Sequence, residues 1–158
     1  MSSSSVMGEI TVCESRIQGL EQEKGLLKKL IAQQEDSQAT YARKSAKDEE
    51  MLCENKKRFD TILIQKDTVK LARQLDNGQT DLMGKYRDQL QKIEEIKENM
   101  KRILMANYDK LGQLEQELQQ EKSRLDRLWN DYHNERRREE EAARAAAAAE
   151  VAQSKIKH

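Results

Sequence analysis

Few residues in this chain could make or break bonds, and their spacing gives them little to work with. Cys13 and Cys53 lie far apart and match no zinc-ligand spacing. His133 and His158 have no nucleophile or metal partner at a useful interval, so the elements of a catalytic site are missing. Arg136, Arg137 and Arg138 would suit phosphate, but Glu139, Glu140 and Glu141 neutralise them within a turn, which predicts a solvated single helix. Tyr86 and Tyr108 sit at helical spacing beside apolar positions and predict packing rather than base stacking. Trp129, next to Leu128, is either an interface anchor or a rim-packing side chain. The expectation is a protein that is not an enzyme, with no cofactor, no metal and no small-molecule substrate.

The elements that would hold these residues are helices. Of the 158 residues, 37% are charged, 36% hydrophobic and 4% aromatic, too little apolar surface for an ordinary globular core. Lys plus Arg total 29 and Asp plus Glu total 29, leaving no net basic field for direct nucleic-acid binding or for an anionic membrane surface. The opening "MSSSSVMGEI" has no basic segment or long apolar core, and no apolar run approaches the roughly 20 residues that span a bilayer. These features predict an intracellular, reduced protein, in cytoplasm or cytoskeleton by default, whose partners are other proteins.

Residues 1–8, rich in serine, are expected to be a disordered tail. A first coiled-coil segment is expected over 9–75. Steps of three and four pass through Ile10, Cys13, Ile17, Leu20, Lys24, Leu27 and Ile31, giving one apolar helix face interrupted at Lys24. The same frame meets Gln34, Gln38, Tyr41, Ser45 and Asp48, a softer stretch, and resumes at Leu52, Phe59, Ile62 and Val69. A second segment, 85–135, carries the strongest signal. It runs through Leu90, Ile93, Lys97, Met100, Leu104, Asn107, Leu111, Leu114, Leu118, Glu121, Leu125, Leu128 and Tyr132 without a slip. Lys24, Lys97, Asn107 and Glu121 are expected to set register or partner choice, because a polar side chain within such a stripe needs something opposite that satisfies it.

The two frames are offset by the equivalent of three residues, a stammer if one helix runs straight through. The offset coincides with "QLDNGQTDLMG", where Asn77-Gly78 and Gly84 weaken helix propensity in a chain without proline. The residues therefore predict a joint at 76–84, a hinge or kink rather than a tight reversal. Beyond it, 136–158 is expected to be a charged, alanine-rich helical tail that frays at its end. The fold class is thus all-α, with long helices forming an elongated coiled coil. Such stripes predict at least a dimer unless the chain folds back on itself; strand number and parallel or antiparallel order stay open. A straight helix over 9–135 would reach roughly 190 Å at 1.5 Å per residue.

Three stretches in order, "EKGLLKKLIAQQE" at 23–35, "MLCENKKRF" at 51–59 and "DLMG" at 81–84, resemble segments of the synaptonemal complex central element protein 1 family. The resemblance spans Glu23 to about Leu90, and Asp81-Leu82-Met83-Gly84 is its most distinctive word. The second and third stretches lie closer together here than in that family, and an alanine-rich end replaces the long tail of its vertebrate members. The resemblance implies a structural protein of the meiotic nucleus that supports chromosome synapsis. It would self-associate through its helices and join other central-element proteins and the transverse filaments between paired chromosomes. The alternative is a centrosomal, kinetochore, ciliary or cytoskeletal coiled-coil scaffold or tether, in which helix length sets a distance.

Overall fold

The absence of proline and the abundance of Lys, Glu, Gln, Leu and Ala leave helix as the favoured backbone state nearly everywhere. The computed structural model contains two helices, α1 (Ser3–Ile64) and α2 (Val69–Ile156). The structure describes residues 2–64 and 69–156, with the side chains of 59, 60, 62–77, 79, 80, 82 and 83 also outside the description. Among the described residues there is no strand, and none has a positive φ. The all-α expectation is met at this level.

The chain divides into two units, one of Met1–Lys28 with Lys110–His158 and the other of Lys29–Asp109. In each, a part of α1 lies antiparallel to a part of α2. In the first unit Ser3 contacts Glu139, Cys13 contacts Glu121 and Lys24 contacts Glu115, so rising numbers on one helix meet falling numbers on the other. In the second unit Gln34 meets Asn107 and Glu49 meets Lys97 in the same sense. Each unit thus covers its apolar stripe with another segment of the same chain.

The first unit begins earlier than its composition suggests. Ser3–Gly8 is helical and Val6 is 1% exposed, which overturns the expected disordered tail at 1–8. Val6 lies four residues before Ile10 on the same stripe, and the two join Cys13 and Leu128 in a core against which Met7, Ile17, Leu125, Trp129 and Tyr132 pack. The serines do the work of a helix start. The Ser2 hydroxyl accepts from the Ser5 N–H (3.2 Å) and the Ser2 carbonyl from the Val6 N–H (3.1 Å), satisfying donors that a helix start leaves free.

The joint expected at 76–84 does not interrupt the helix. α2 runs through Asn77, Gly78 and Gly84 without a break, and residues 65–68, between α1 and α2, lie outside the described residues. Two glycines in a helix interior cost about 1 kcal/mol each against alanine, less than opening the backbone hydrogen bonds of two turns flanked by good helix formers. The stripes of 10–52 and 90–132 belong to different helices, so no single helix has to absorb their three-residue offset. At the other end α2 is helical through Ile156, further than the fraying expected for "VAQSKIKH". From Arg136 to Ile156 every residue is exposed, and Arg136–Glu140 (3.5 Å) and Arg138–Glu135 (3.0 Å) pair along the helix itself.

A Cβ added at Gly78 or Gly84 meets no atom within 4 Å. Gly78→Ala and Gly84→Ala should therefore each stabilise the chain by about 0.5–1 kcal/mol through helix propensity. Chemical denaturation followed by circular dichroism checks this; a loss of stability would mean that the segment needs glycine for a bend.

Candidate functional site

The residues to be located are the apolar stripes and the polar residues within them. On α1 of the first unit Ile10, Cys13 and Leu27 are buried, with Ile17, Leu20 and Lys24 half-buried. On α2 of that unit Leu114, Leu118 and Leu128 are buried and Leu111, Glu121, Leu125 and Tyr132 half-buried. In the second unit Ile31 is buried, and Leu52, Leu90, Ile93, Lys97, Met100, Leu104 and Asn107 are half-buried. Between Arg87 and Glu135 the other residues that are not exposed are Trp129 and Glu135, both half-buried. The side chains of Phe59, Ile62, Val69 and Asn77 lie outside the described residues. Gly78 is exposed and Gly84 half-buried.

Each of the four polar residues within the stripes meets a polar group on the opposite helix. Lys24 Nζ lies 3.6 Å from Glu115 Oε1. Lys97 Nζ lies 3.3 Å from Glu49 Oε1 and 3.7 Å from Glu94 Oε1 on its own helix. Asn107 Nδ2 donates to Gln34 Oε1 at 2.7 Å. Glu121 takes Arg16 Nη1 at 3.4 Å and accepts the Cys13 thiol at 3.4 Å, both on its carboxylate. Sequence reading found one side of each pair and missed the other: Glu115, Glu49, Gln34 and Arg16. Gln34 was legible in principle, since it stands in the α1 frame as Asn107 stands in that of α2. Glu49 was not, because that frame passes through Asp48; here Asp48 is exposed and Glu49 turns inward to Lys97.

Burial and these contacts shift several titrations. Burial and the hydrogen bond to Glu121 push the Cys13 thiol up, so it stays protonated and donates; its sulfur is free, as is that of the exposed Cys53. The hydrogen bond to Glu49 raises Lys97, and the bond from Tyr108 to the Glu35 carboxylate raises the phenol. Ser45, 2% exposed inside the softer stretch of α1, donates to the Ala42 carbonyl at 3.1 Å and so carries no unmet donor into the second unit.

A further contact went unread in the sequence. Glu139 accepts the Ser3 N–H at 2.9 Å and the Ser3 hydroxyl at 2.6 Å, placing a carboxylate at the positive end of the α1 dipole. These two bonds hold the Glu139 carboxyl below its ordinary range. The same helix carries an aromatic group in which Trp129 lies edge-on to Tyr132 at 5.7 Å and stacks with His133 at 5.9 Å, at 29° between ring planes. Trp129 packs on the core while Tyr132 accepts from Arg136 at 3.3 Å, a rim-packing role.

This arrangement can bury apolar surface in one register and reject others. A shifted pairing would set Asn107 or Glu121 against leucine, leaving a polar group without a partner. Among the described residues no group of three or more His, Cys, Asp or Glu could hold a metal, and no helix is long and apolar enough to cross a membrane. No protein family, curated protein or solved structure matches the chain.

Asn107→Leu should cost about 1 kcal/mol by leaving Gln34 unpaired, and adding Gln34→Leu should recover most of it while loosening the register. A double-mutant cycle by urea denaturation, with molar mass measured in solution, reads both effects; additive losses would mean that the bond couples nothing.

Glu139 gives a pH dependence of defined sign. Because its folded pKa is depressed, the stabilisation is present above the ordinary carboxyl pKa, about 4.3, and is lost as pH falls through the lowered value. The Ser3 amide resonance should therefore move upfield on acidification below about pH 4. Glu139→Gln should remove that titration, and an unchanged Ser3 profile would show that the cap does not form in solution.

Proposed function

We propose that this chain is a structural coiled-coil assembly protein and, following its resemblance to the central element protein 1 family, a component that supports chromosome synapsis in the meiotic nucleus. The observation that carries the structural part is the matching of Lys24, Lys97, Asn107 and Glu121 with polar partners on the opposite helix. Such pairs, half-open to water, stabilise little, about 0–1 kcal/mol each, but a misregistered alternative would strand them. A chain that spends its polar residues on register is suited to presenting helices at set positions, and that is what an assembly component supplies.

The address of the assembly rests on the quoted stretches, of which "DLMG" lies within α2 and "EKGLLKKLIAQQE" and "MLCENKKRF" within α1. Under this reading the exposed faces of the helices are where other central-element or transverse-filament proteins bind. The burial of stripe against stripe within each unit means that an obligate dimer is not required to cover them, so further association uses other surfaces.

The deciding experiment is localisation of the tagged full-length chain across tissues and through meiotic prophase. The expected result is germline-restricted expression with signal confined between synapsed chromosome axes. Uniform somatic expression, with signal at centrosomes, kinetochores, cilia or the cytoskeleton, would transfer the same architecture to the alternative scaffold role.

A further inference from the structure

Apolar burial is poor along one stretch of the Lys29–Asp109 unit. Between Ile31 and Leu52 the residues of α1 that are not exposed are Gln34, Gln38, Tyr41, Ser45 and Glu49, and none of them is aliphatic. Polar contacts close the helices here, Asn107 with Gln34 at 2.7 Å, Tyr108 with Glu35, and Lys97 with Glu49 at 3.3 Å. Ser45 stands between them along α1 and is 2% exposed. Its hydroxyl donates to the Ala42 carbonyl, so that bond is spent within its own helix. A stretch joined by partly open polar contacts, with little apolar surface beneath them, opens locally at low cost.

We propose that Ser45 is a phosphorylation site and that its phosphate holds this stretch open. The neighbouring residues supply recognition. Arg43 and Lys44 stand two and one residues before the serine and Lys47 two after it, all three exposed, a cationic frame that fits a protein kinase with an acidic substrate groove. When the stretch lifts, the Ser45 hydroxyl oxygen attacks the terminal phosphorus of a nucleoside triphosphate. The bond to the departing diphosphate breaks, and the hydroxyl proton passes to the kinase. The product carries about two negative charges at neutral pH where a neutral hydroxyl had been buried. Glu49 lies one turn further along α1, and Lys97, half-buried on α2, is already shared by Glu49 at 3.3 Å and Glu94 at 3.7 Å. Repulsion from Glu49 and the cost of desolvating the phosphate both oppose reclosure, and the half-buried Met100 and Leu104 of α2 are uncovered. A switch of this kind serves a synapsis component and a somatic scaffold alike.

The test treats the full chain with magnesium ATP and a protein kinase selective for Arg-x-Ser-x-Lys sequences, and reads it by mass spectrometry and hydrogen exchange. One phosphate should map to Ser45, and Lys44→Gln with Lys47→Gln should remove it. In the phosphorylated chain the amides of 38–52 and 93–104 should exchange at least about tenfold faster, with those of 6–17 and 118–132 unchanged. Ser45→Glu should reproduce the faster exchange, and Ser45→Ala should keep the wild-type pattern. Phosphate found elsewhere with Ser45 unmodified would overturn the proposal. So would a Ser45-phosphorylated chain that exchanges like the wild type, or one that loses protection equally in both units.

Discussion

A polar side chain inside an apolar helix face has to find a partner, and the pairing of α1 with α2 depends on that constraint. Leucine and isoleucine stripes attract one another in many registers, because burial is non-directional and a shift of one heptad buries nearly the same area. Glu121 beneath Arg16 and Cys13, and Asn107 against Gln34, are directional and admit one. Burial supplies most of the free energy, while these contacts choose among arrangements that burial alone would leave close in energy.

The same logic explains where the first unit begins and ends. Its core reaches Val6, close to the start of α1, where four backbone donors need acceptors. Ser2 satisfies two backbone donors locally, those of Ser5 and Val6, and Glu139 reaches across from α2 to take both donors of Ser3. A serine run that reads as disorder by composition becomes a cap once a helix is there to receive it. Beyond Glu139 every described residue of α2 is exposed, and the helix is held by alanine propensity and, at its start, by the Arg136–Glu140 pair.

The second unit is built differently on its two flanks. On one, Glu35, Glu49, Lys97 and Tyr108 close the helix pair with polar contacts; on the other, Leu30, Met51, Ile96 and Ile103 remain open. Helix pairing needs one covered stripe per helix, so an open apolar flank is surplus to the fold of the unit itself.

The sequence by itself determined the all-α class, the stripes of 10–52 and 90–132 and the four polar residues within them. Each follows from local propensity or from a 3.5-residue spacing that any helical chain must obey. Val6 was also legible, one step of four before Ile10, but serine content masked it. The sequence did not determine which stripe faces which, because periodicity says where a face lies and nothing about what covers it. At 76–84 the backbone stays helical, its turn-forming residues outweighed by the helix on either side. Only the tertiary structure decided that the stripes are covered by the same chain in antiparallel order, that Glu49 rather than Asp48 turns inward, and that Glu139 caps α1. Those outcomes depend on groups far apart in sequence meeting in space, and the geometry that joins them is a property of the packed helices.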